Sequence, residues 1–293
     1  MQYKQRLAAD ILLLFVAFIW GTTFTIVKDA LAHVEVFTFL AQRFVLAFIF
    51  FIPFLLFRLQ YLNLRVLLQG SLLGGLLFGA YAFQTIGLKF TSASNTAFVT
   101  GLNVVFVPLL QSLFFGRFVP IPARIGALLS SIGLGALCLS GQSTLNPGDF
   151  IVILCAICIA LQIIFTGRYA NQNDAYWLAG IQIGVVGLLS SVTGVVKGEQ
   201  ILAWQPDIFW ALLVCAFFAS SFAFWAQTSM QRFTTPTRTS IIFCMEPVFG
   251  ALYARMFGGE YLGAVGLLGA ALIFLGMLMA EGQDLFRART ADT

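Results

Sequence analysis

The chain has 293 residues, of which 60% are hydrophobic and 10% are charged, with a formal net charge of +4 at pH 7. Soluble domains carry about 25% charged residues, so this composition excludes a soluble globular protein. The modest charge gives no indication of nucleic-acid binding. We therefore interpret the chain as a membrane protein whose first partner is the lipid bilayer.

Charged residues are confined mainly to the joints between long apolar stretches. A bilayer core of about 30 Å is crossed by about 20 residues of helix, and apolar stretches of that length recur along the chain. The sequence predicts an all-α membrane protein with ten transmembrane helices. Their predicted positions are 9–29, 35–57, 66–88, 92–116, 121–141, 149–168, 175–196, 207–231, 236–257 and 261–281.

The distribution of lysine and arginine predicts the orientation of these helices. With the N-terminus in the cytoplasm, eleven of these residues fall on the cytoplasmic side and four on the opposite side. Positively charged residues concentrate in the cytoplasmic loops of membrane proteins. Because the predicted number of spans is even, both termini are expected in the cytoplasm, in a bacterial-type inner (plasma) membrane.

The chain matches itself at an offset of 143 residues. The matched pairs include Gln84-Thr85 with Gln227-Thr228, Phe90-Thr91 with Phe233-Thr234, Gly126-Ala127 with Gly269-Ala270, and Gly133 with Gly276. These matches predict two five-helix repeats, 1–145 and 146–293, within one transmembrane domain. Because five is odd, the repeats cross the membrane in opposite directions, as in many secondary transporters with a substrate site between the repeats.

Four short motifs resemble those of one transporter family. They are Trp20-Gly21-Thr22-Thr23-Phe24, Gln42-Arg43-Phe44, Met245-Glu246-Pro247-Val248-Phe249 and Gly258-Gly259-Glu260. With these motifs the chain resembles the EamA-type transporters of the drug/metabolite transporter superfamily and, within it, the YddG group of amino acid exporters. The resemblance covers the whole chain and implies ten helices in a five-plus-five inverted repeat that transports by alternating access.

The chain departs from that pattern in its charged residues. Gly116-Arg117 stands where the first repeat would carry Gly-Glu, and the first span has no carboxylate between Asp10 and Asp29. The four-helix multidrug members of the superfamily use a glutamate in the first helix for proton coupling. The resemblance therefore does not extend to proton antiport by that mechanism.

Two ionisable residues fall within predicted spans, where charge is costly and commonly functional. Glu246 lies near the centre of the ninth span, directly before Pro247, and Arg43 lies in the second span. One interpretation gives them a role in coupling or substrate binding. The other is structural: they form a buried ion pair, or Glu246 accepts hydrogen bonds from backbone freed by Pro247.

Polar and aromatic residues at matching depths predict a substrate cavity. The candidates are Trp20, Tyr81, Gln84, Thr96, Asn103, Gln162, Trp225 and Gln227. The alternative is that they form hydrogen bonds between helices and an aromatic belt at the membrane surface.

No catalytic constellation, metal-binding cluster or phosphate-binding loop is present in the sequence, so neither an enzyme nor a bound cofactor is expected. An intramembrane enzyme is disfavoured because one mid-membrane glutamate is too few, and a receptor or structural role is disfavoured by the repeat. We expect a secondary transporter that exports small polar metabolites by alternating access, with amino acids, aromatic or other neutral ones, as the predicted substrates. The runner-up exports other small metabolites or lipophilic cations. The sequence is compatible with a monomer.

Overall fold

The computed structural model describes residues 2–91, 93–116, 119–139, 147–202, 206–257 and 263–291. Within these residues the chain is helical and has no β-strand. The α-helices are α1 Gln2–Ala30, α2 Val36–Leu56, α3 Leu64–Phe90, α4 Ala93–Gly101, α5 Asn103–Phe115, α6 Ile121–Leu139, α7 Pro147–Tyr169, α8 Ala175–Val196, α9 Phe209–Ala216, α10 Ala223–Met230, α11 Pro236–Phe243, α12 Met245–Phe257 and α13 Ala264–Ala291. The predicted Gly258-Gly259-Glu260 motif and Arg117 lie outside the described residues.

Seven helical segments among the described residues are long and apolar enough to cross a membrane. They are Lys4–Ala30, Val36–Leu56, Leu64–Phe90, Thr96–Phe115, Pro147–Tyr169, Ala175–Val196 and Pro206–Met230. Two shorter apolar helices are Ile121–Ala136 and Ala264–Met279. The prediction of an all-helical membrane protein is confirmed for the described residues. The number of ten spans stays a prediction.

The distribution of side chains is that of a protein whose solvent is lipid. Large apolar residues lie on the outside, such as Leu113, which is 73% exposed, and Trp210, which is 74% exposed. Polar residues such as Gln182, Gln227 and Thr228 are buried between helices, where they form hydrogen bonds with one another or with Gln162. In water this arrangement would be unfavourable, because it exposes apolar surface, whereas in a bilayer the buried polar groups can hydrogen-bond across helices.

The main helix contacts are α6 with α13, α3 with α7, α2 with α8, α3 with α8, and α1 with α12. The α6–α13 crossing is close because glycines lie on both sides of it. A Cβ atom on Gly133 would lie 2.6 Å from the carbonyl oxygen of Gly269, and one on Gly276 would lie 2.6 Å from that of Gly126. Small residues of this kind allow membrane helices to pack backbone against backbone.

Two of the predicted spans are interrupted helices whose breaks touch. Helices α4 and α5 are separated at Leu102, and α11 and α12 at Cys244. Pro247 has no N–H to bond the carbonyl of Phe243, which is where α11 ends. The Sγ atom of Cys244 lies 3.8 Å from the carbonyl oxygen of Gly101, a residue 143 positions earlier.

A third irregularity lies between α9 and α10, where residues Phe217–Phe222 form a π-helical segment. Segments of this kind widen the helix by one residue per turn and are frequent at functional sites. The π segment packs against α2 and α1, which carry Arg43 and Trp20. It therefore faces the part of the molecule where the sequence places two candidate site residues.

Candidate substrate cavity

A cavity lies between helices from both halves of the chain. Eight of the ten residues selected from the sequence line it: Trp20, Arg43, Tyr81, Gln84, Asn103, Gln162, Gln227 and Glu246. That these residues bind a substrate stays a prediction.

The other two candidates lie elsewhere. Thr96 is fully buried one turn before Thr100, which does line the cavity. Trp225 follows Phe224 on α10, and successive side chains on a helix point about 100° apart, so Phe224 faces the cavity instead. Trp225 lines a separate apolar groove with Phe54 and other aromatic residues.

The sequence prediction missed the apolar walls of the cavity. Phe24, Phe224 and Phe243 all contribute to its lining. Nothing in the sequence distinguishes these three among the 32 phenylalanines of the chain. Thr100 also lines the cavity, and the sequence places it on one polar face of its helix with Thr96 and Asn103.

Arg43 is buried, with 3% of its surface exposed, and neutral groups hold its guanidinium. Its Nε donates to the Oγ of Ser220 at 2.9 Å, and its Nη2 donates to the hydroxyl of Tyr81 at 3.3 Å. The Cζ atom lies 4.9 Å from the centre of the Tyr81 ring and 5.2 Å from that of Phe44, so both rings contribute cation–π attraction.

The buried ion pair between Arg43 and Glu246, which was one of the two interpretations from sequence, is not formed. Within the part of the chain that the structure describes, Arg43 contacts no carboxylate. The physical reason is the packing: α2 lies against α8 and the π segment, whereas α12 lies against α1. Arg43 and Glu246 line the same cavity without neutralising each other.

The π segment fixes the position of two of these cavity residues. The carbonyl oxygen of Ala219 accepts a hydrogen bond from the Nε1 of Trp20 at 2.8 Å and lies 3.5 Å from the Nη2 of Arg43. The next residue but one, Ser221, donates to the carbonyl of Ala47 on α2 at 2.9 Å. This irregular turn therefore joins α1 and α2 at the cavity wall.

Glu246 lies in the first turn of α12, where the partial positive charge of the helix N-terminus stabilises a carboxylate. No described residue donates a hydrogen bond to this carboxylate. Asn103, which also lines the cavity, begins α5 and donates from Nδ2 to the carbonyl of Thr100 at 2.8 Å. The Oδ1 of Asn103 is buried and has no hydrogen-bond partner among the described residues.

A chain of buried amides holds the remaining polar residues. Gln227 donates to Gln162 at 3.0 Å and to Gln231 at 3.2 Å. Gln162 donates to Gln182 at 3.1 Å, and Gln182 donates to Thr228 at 3.1 Å. Each amide fixes its neighbour, so this network holds Gln162 and Gln227 in defined orientations. It leaves one acceptor unused, the Oε1 of Gln227.

Different contacts hold the helices beyond the two ends of the cavity. Near the start of α1, Asp10 forms a buried ion pair with Arg238 of α11, and Thr237 donates to Gln111 of α5 at 2.7 Å. At the C-terminal end of α3, Lys89 forms an ion pair with Glu35, with 3.0 Å between Nζ and Oε2. Both of these side chains are solvent-accessible. Buried pairs resist separation more strongly than exposed ones.

The fold and the cavity define a class: a helical membrane protein with a partly polar cavity between interrupted helices. Two segments of the chain, residues 7–139 and 146–281, each match the model of the EamA-like transporter family. The chain belongs to this family, which is part of the drug/metabolite transporter superfamily.

Similar proteins carry transporter names. An uncharacterized transporter of Archaeoglobus fulgidus is 32% identical over 94% of this chain and 87% of its own length. The uncharacterized inner membrane transporter YedA of Escherichia coli is 26% identical over 99% of this chain and 96% of its own length. A solved crystal structure shares the fold, with a TM-score of 0.78, at 18% identity over 98% of this chain and 99% of that one. The family and these names indicate a multi-pass membrane transporter rather than an enzyme.

Proposed function

We propose that the chain is a secondary transporter that exports neutral amino acids, including aromatic ones, across the inner (plasma) membrane. The observation that carries this proposal is the composition of the cavity. It combines aromatic rings from Trp20 and Tyr81, several amide side chains, and one group of each charge sign. Aromatic walls suit an apolar side chain, and the amides and charges suit the polar backbone of an amino acid.

The runner-up function, export of other small metabolites or lipophilic cations, is less compatible with this lining. A cation entering the cavity meets the attraction of Glu246 but also the repulsion of Arg43. Cation exporters are expected to carry an excess of carboxylates at the site. Within the superfamily we therefore retain the narrower resemblance to the YddG group of amino acid exporters.

We also propose that ten spans form two inverted repeats, residues 1–145 and 146–293, with both termini in the cytoplasm. Two separate matches to the family model, one in each half, support this division. The packing supports it as well. At an offset of 143 residues, α2 corresponds to α8 and α6 corresponds to α13, and each of these pairs is in contact. Reporter fusions in the 58–65 and 197–207 loops should report cytoplasmic and external positions, respectively.

Alternating access would then break different contacts at the two ends of the cavity. In the proposed orientation, the Asp10–Arg238 pair and the Thr237–Gln111 hydrogen bond lie toward the cytoplasm. We propose that they close the cytoplasmic side in this conformation and must separate for substrate to enter from the cell. This motion would be a rocking of one repeat against the other.

The test is transport by purified protein in liposomes. Vesicles loaded with unlabelled amino acid should take up labelled phenylalanine by exchange, without ATP. A panel of neutral amino acids, lysine and lipophilic cations would define the substrate class. A strict requirement for ATP, or exchange of the cations alone, would refute the proposal. Leu68→Ala, at a lipid-facing position that is 61% exposed, is a suitable control variant.

A further inference from the structure

We infer that Arg43 and Glu246 are the two charged poles of a zwitterion site, with Arg43 binding the substrate carboxylate and Glu246 the ammonium group. The inference rests on the proposed function and deepens it by naming the substrate class. The ligand must carry both charges at once, so amines without a carboxylate and acids without an ammonium group are excluded.

Arg43 has the properties expected of a carboxylate-binding group. It is a buried cation whose described partners, Ser220, Tyr81 and the Ala219 carbonyl, are all neutral. A buried charge without a counter-charge is costly, and a ligand carboxylate would supply the missing charge. The guanidinium has five N–H donors, and the described hydrogen bonds use Nε and Nη2. Donors on Nη1 are therefore available to a carboxylate.

The opposite pole consists of acceptors without donors. The carboxylate of Glu246 accepts no hydrogen bond from a described residue, and the buried Oδ1 of Asn103 and Oε1 of Gln227 have no partner. All three side chains line the cavity. An ammonium group has three N–H donors and no acceptor, so it suits a cavity lined by acceptors that lack donors. Unused buried acceptors are unfavourable unless a ligand satisfies them.

The separation of the two poles explains the choice of ligand. If Arg43 and Glu246 were paired, each would neutralise the other and a charged ligand would have to break the pair. Because they are held apart by different helix contacts, both remain available. A zwitterion satisfies both poles, whereas an amine or an acid leaves one buried charge without a partner, which discriminates strongly against it.

The wild-type protein alone can test this pattern. Phenylalanine, phenylalaninamide and N-acetylphenylalanine share one side chain but carry both charges, only the positive charge and only the negative charge, respectively. Each is used to inhibit exchange of labelled phenylalanine in proteoliposomes. We expect both single-charge analogues to inhibit at least tenfold more weakly than phenylalanine. Equal inhibition by either analogue would overturn the assignment of the pole that it lacks.

Variants then assign each pole to its residue. Arg43→Gln should weaken phenylalanine at least tenfold while leaving phenylalaninamide unchanged, so that discrimination between them is lost. Glu246→Gln should abolish the discrimination against N-acetylphenylalanine. Arg43→Lys, which keeps the charge, should retain more affinity than Arg43→Gln. The Leu68→Ala variant should behave as the wild type.

The outcomes separate this inference from the proposed function. Folded Arg43→Gln protein that exchanges phenylalanine with wild-type affinity would overturn the inference and leave amino acid export standing. A wild-type protein that exchanges no amino acid would refute the proposed function and the inference with it. If Arg43→Gln does not fold, the wild-type analogue series and the Glu246→Gln variant decide the question.

Discussion

The α6–α13 crossing and the central cavity differ in how closely they keep the proposed internal repeat. At the crossing, Gly133 faces Gly269 and Gly276 faces Gly126, and the members of each equivalent pair are 143 residues apart. In the cavity, both halves carry glutamine at the equivalent positions 84 and 227. The two charged residues of the cavity have no charged equivalent in the other half. Arg43 corresponds to the buried Val186.

The other charged position of the cavity has diverged in the same way. Glu246 corresponds to Asn103, and both residues lie at the start of an interrupted half-helix that faces the cavity. The proposed zwitterion site gives a physical reason for the difference between crossing and cavity. Two copies of one packing surface fit each other best when they stay alike, whereas a ligand with unlike ends requires unlike groups on opposite walls.

The largest effect is expected where the repeat is kept. Gly133→Leu and Gly276→Leu each force a side chain against a backbone carbonyl that cannot move aside. Each should lower the free energy of unfolding by about 3 kcal/mol, the upper end of the cost of overpacking. The measurement is the melting temperature and the yield of monodisperse protein.

The symmetry of this crossing gives a prediction that is more specific than a loss of stability in either variant. The two glycine variants should be destabilised to the same degree, because each meets the equivalent carbonyl at the same distance. Gly135→Leu on the same helix is the matched control, since nothing lies within 4 Å of a Cβ atom at that position. If one of the two glycine variants were tolerated, the crossing would not be symmetric.

The next prediction concerns position 103, which lacks the negative charge that the equivalent residue Glu246 carries. Asn103→Asp places a second carboxylate at the position equivalent to Glu246 with almost no change of shape. The cavity then carries an excess negative charge, so phenylalanine exchange should fall about tenfold, a cost of about 1.4 kcal/mol. Lysine, with its second positive charge, should become a better substrate in the liposome assay.

The control for this change is the same substitution outside the cavity. Asn63→Asp lies at the exposed start of α3, where the side chain accepts a hydrogen bond from the backbone of Val66 and an aspartate can do the same. It should leave the preference for phenylalanine over lysine unaltered. An unchanged preference in Asn103→Asp would show that position 103 does not face the ligand.

A smaller difference is expected between the two retained amides. Gln227→Ala removes the donor to both Gln162 and Gln231 inside the buried network and should cost about 1–3 kcal/mol of stability. Gln84→Ala removes one hydrogen bond, to Thr100 at 3.2 Å, and should cost about 0.5–1.5 kcal/mol. Denaturation in detergent would measure both. A larger loss for Gln84→Ala would contradict the assignment of the network to the second half.

The sequence could predict much of this arrangement, because membrane crossing leaves a strong signal. Apolar length sets the helices, and the equivalent glycines and amides point to the repeat before any contact is known. Charged and amide residues inside a span stand out against lipid-facing residues, which is why eight of ten candidates line the cavity. These residues lie together inside the helix bundle because exposing a polar or charged group to lipid has a high free-energy cost.

What the sequence could not predict depends on local geometry. Trp225 and Phe224 are neighbours of similar size, and only the rotation of α10, set in part by the preceding π segment, decides which one faces the cavity. The same segment supplies Ser220 and Ala219 to Arg43, so it also decides that Arg43 binds neutral groups instead of Glu246. No residue pattern in Phe217–Phe222 predicts that this segment is π-helical.

The smallest effect concerns Tyr81 and its equivalent, Phe224. Tyr81→Phe removes the hydroxyl that accepts from Arg43 at 3.3 Å but keeps the ring, whose centre lies 4.9 Å from the guanidinium. The cation–π attraction therefore remains. The expected loss is about 0.5–1 kcal/mol, or a roughly threefold weaker inhibition of exchange by phenylalanine. Tyr176→Phe is the matched control. The guanidinium of Arg58 lies over the ring of Tyr176, but this ring lines the separate apolar groove.

Adding Phe224→Tyr to Tyr81→Phe tests whether the two halves are interchangeable at this position. The rings of residues 81 and 224 are 6.2 Å apart and both line the cavity, so the double variant moves one hydroxyl to the equivalent place in the other half. Because Arg43 has no counterpart at Val186, the relocated hydroxyl has no guanidinium equivalent to bind, and the threefold loss should persist. Full recovery in the double variant would mean that the guanidinium reaches both positions, and the contrast between a symmetric crossing and an asymmetric cavity would then be wrong at this wall.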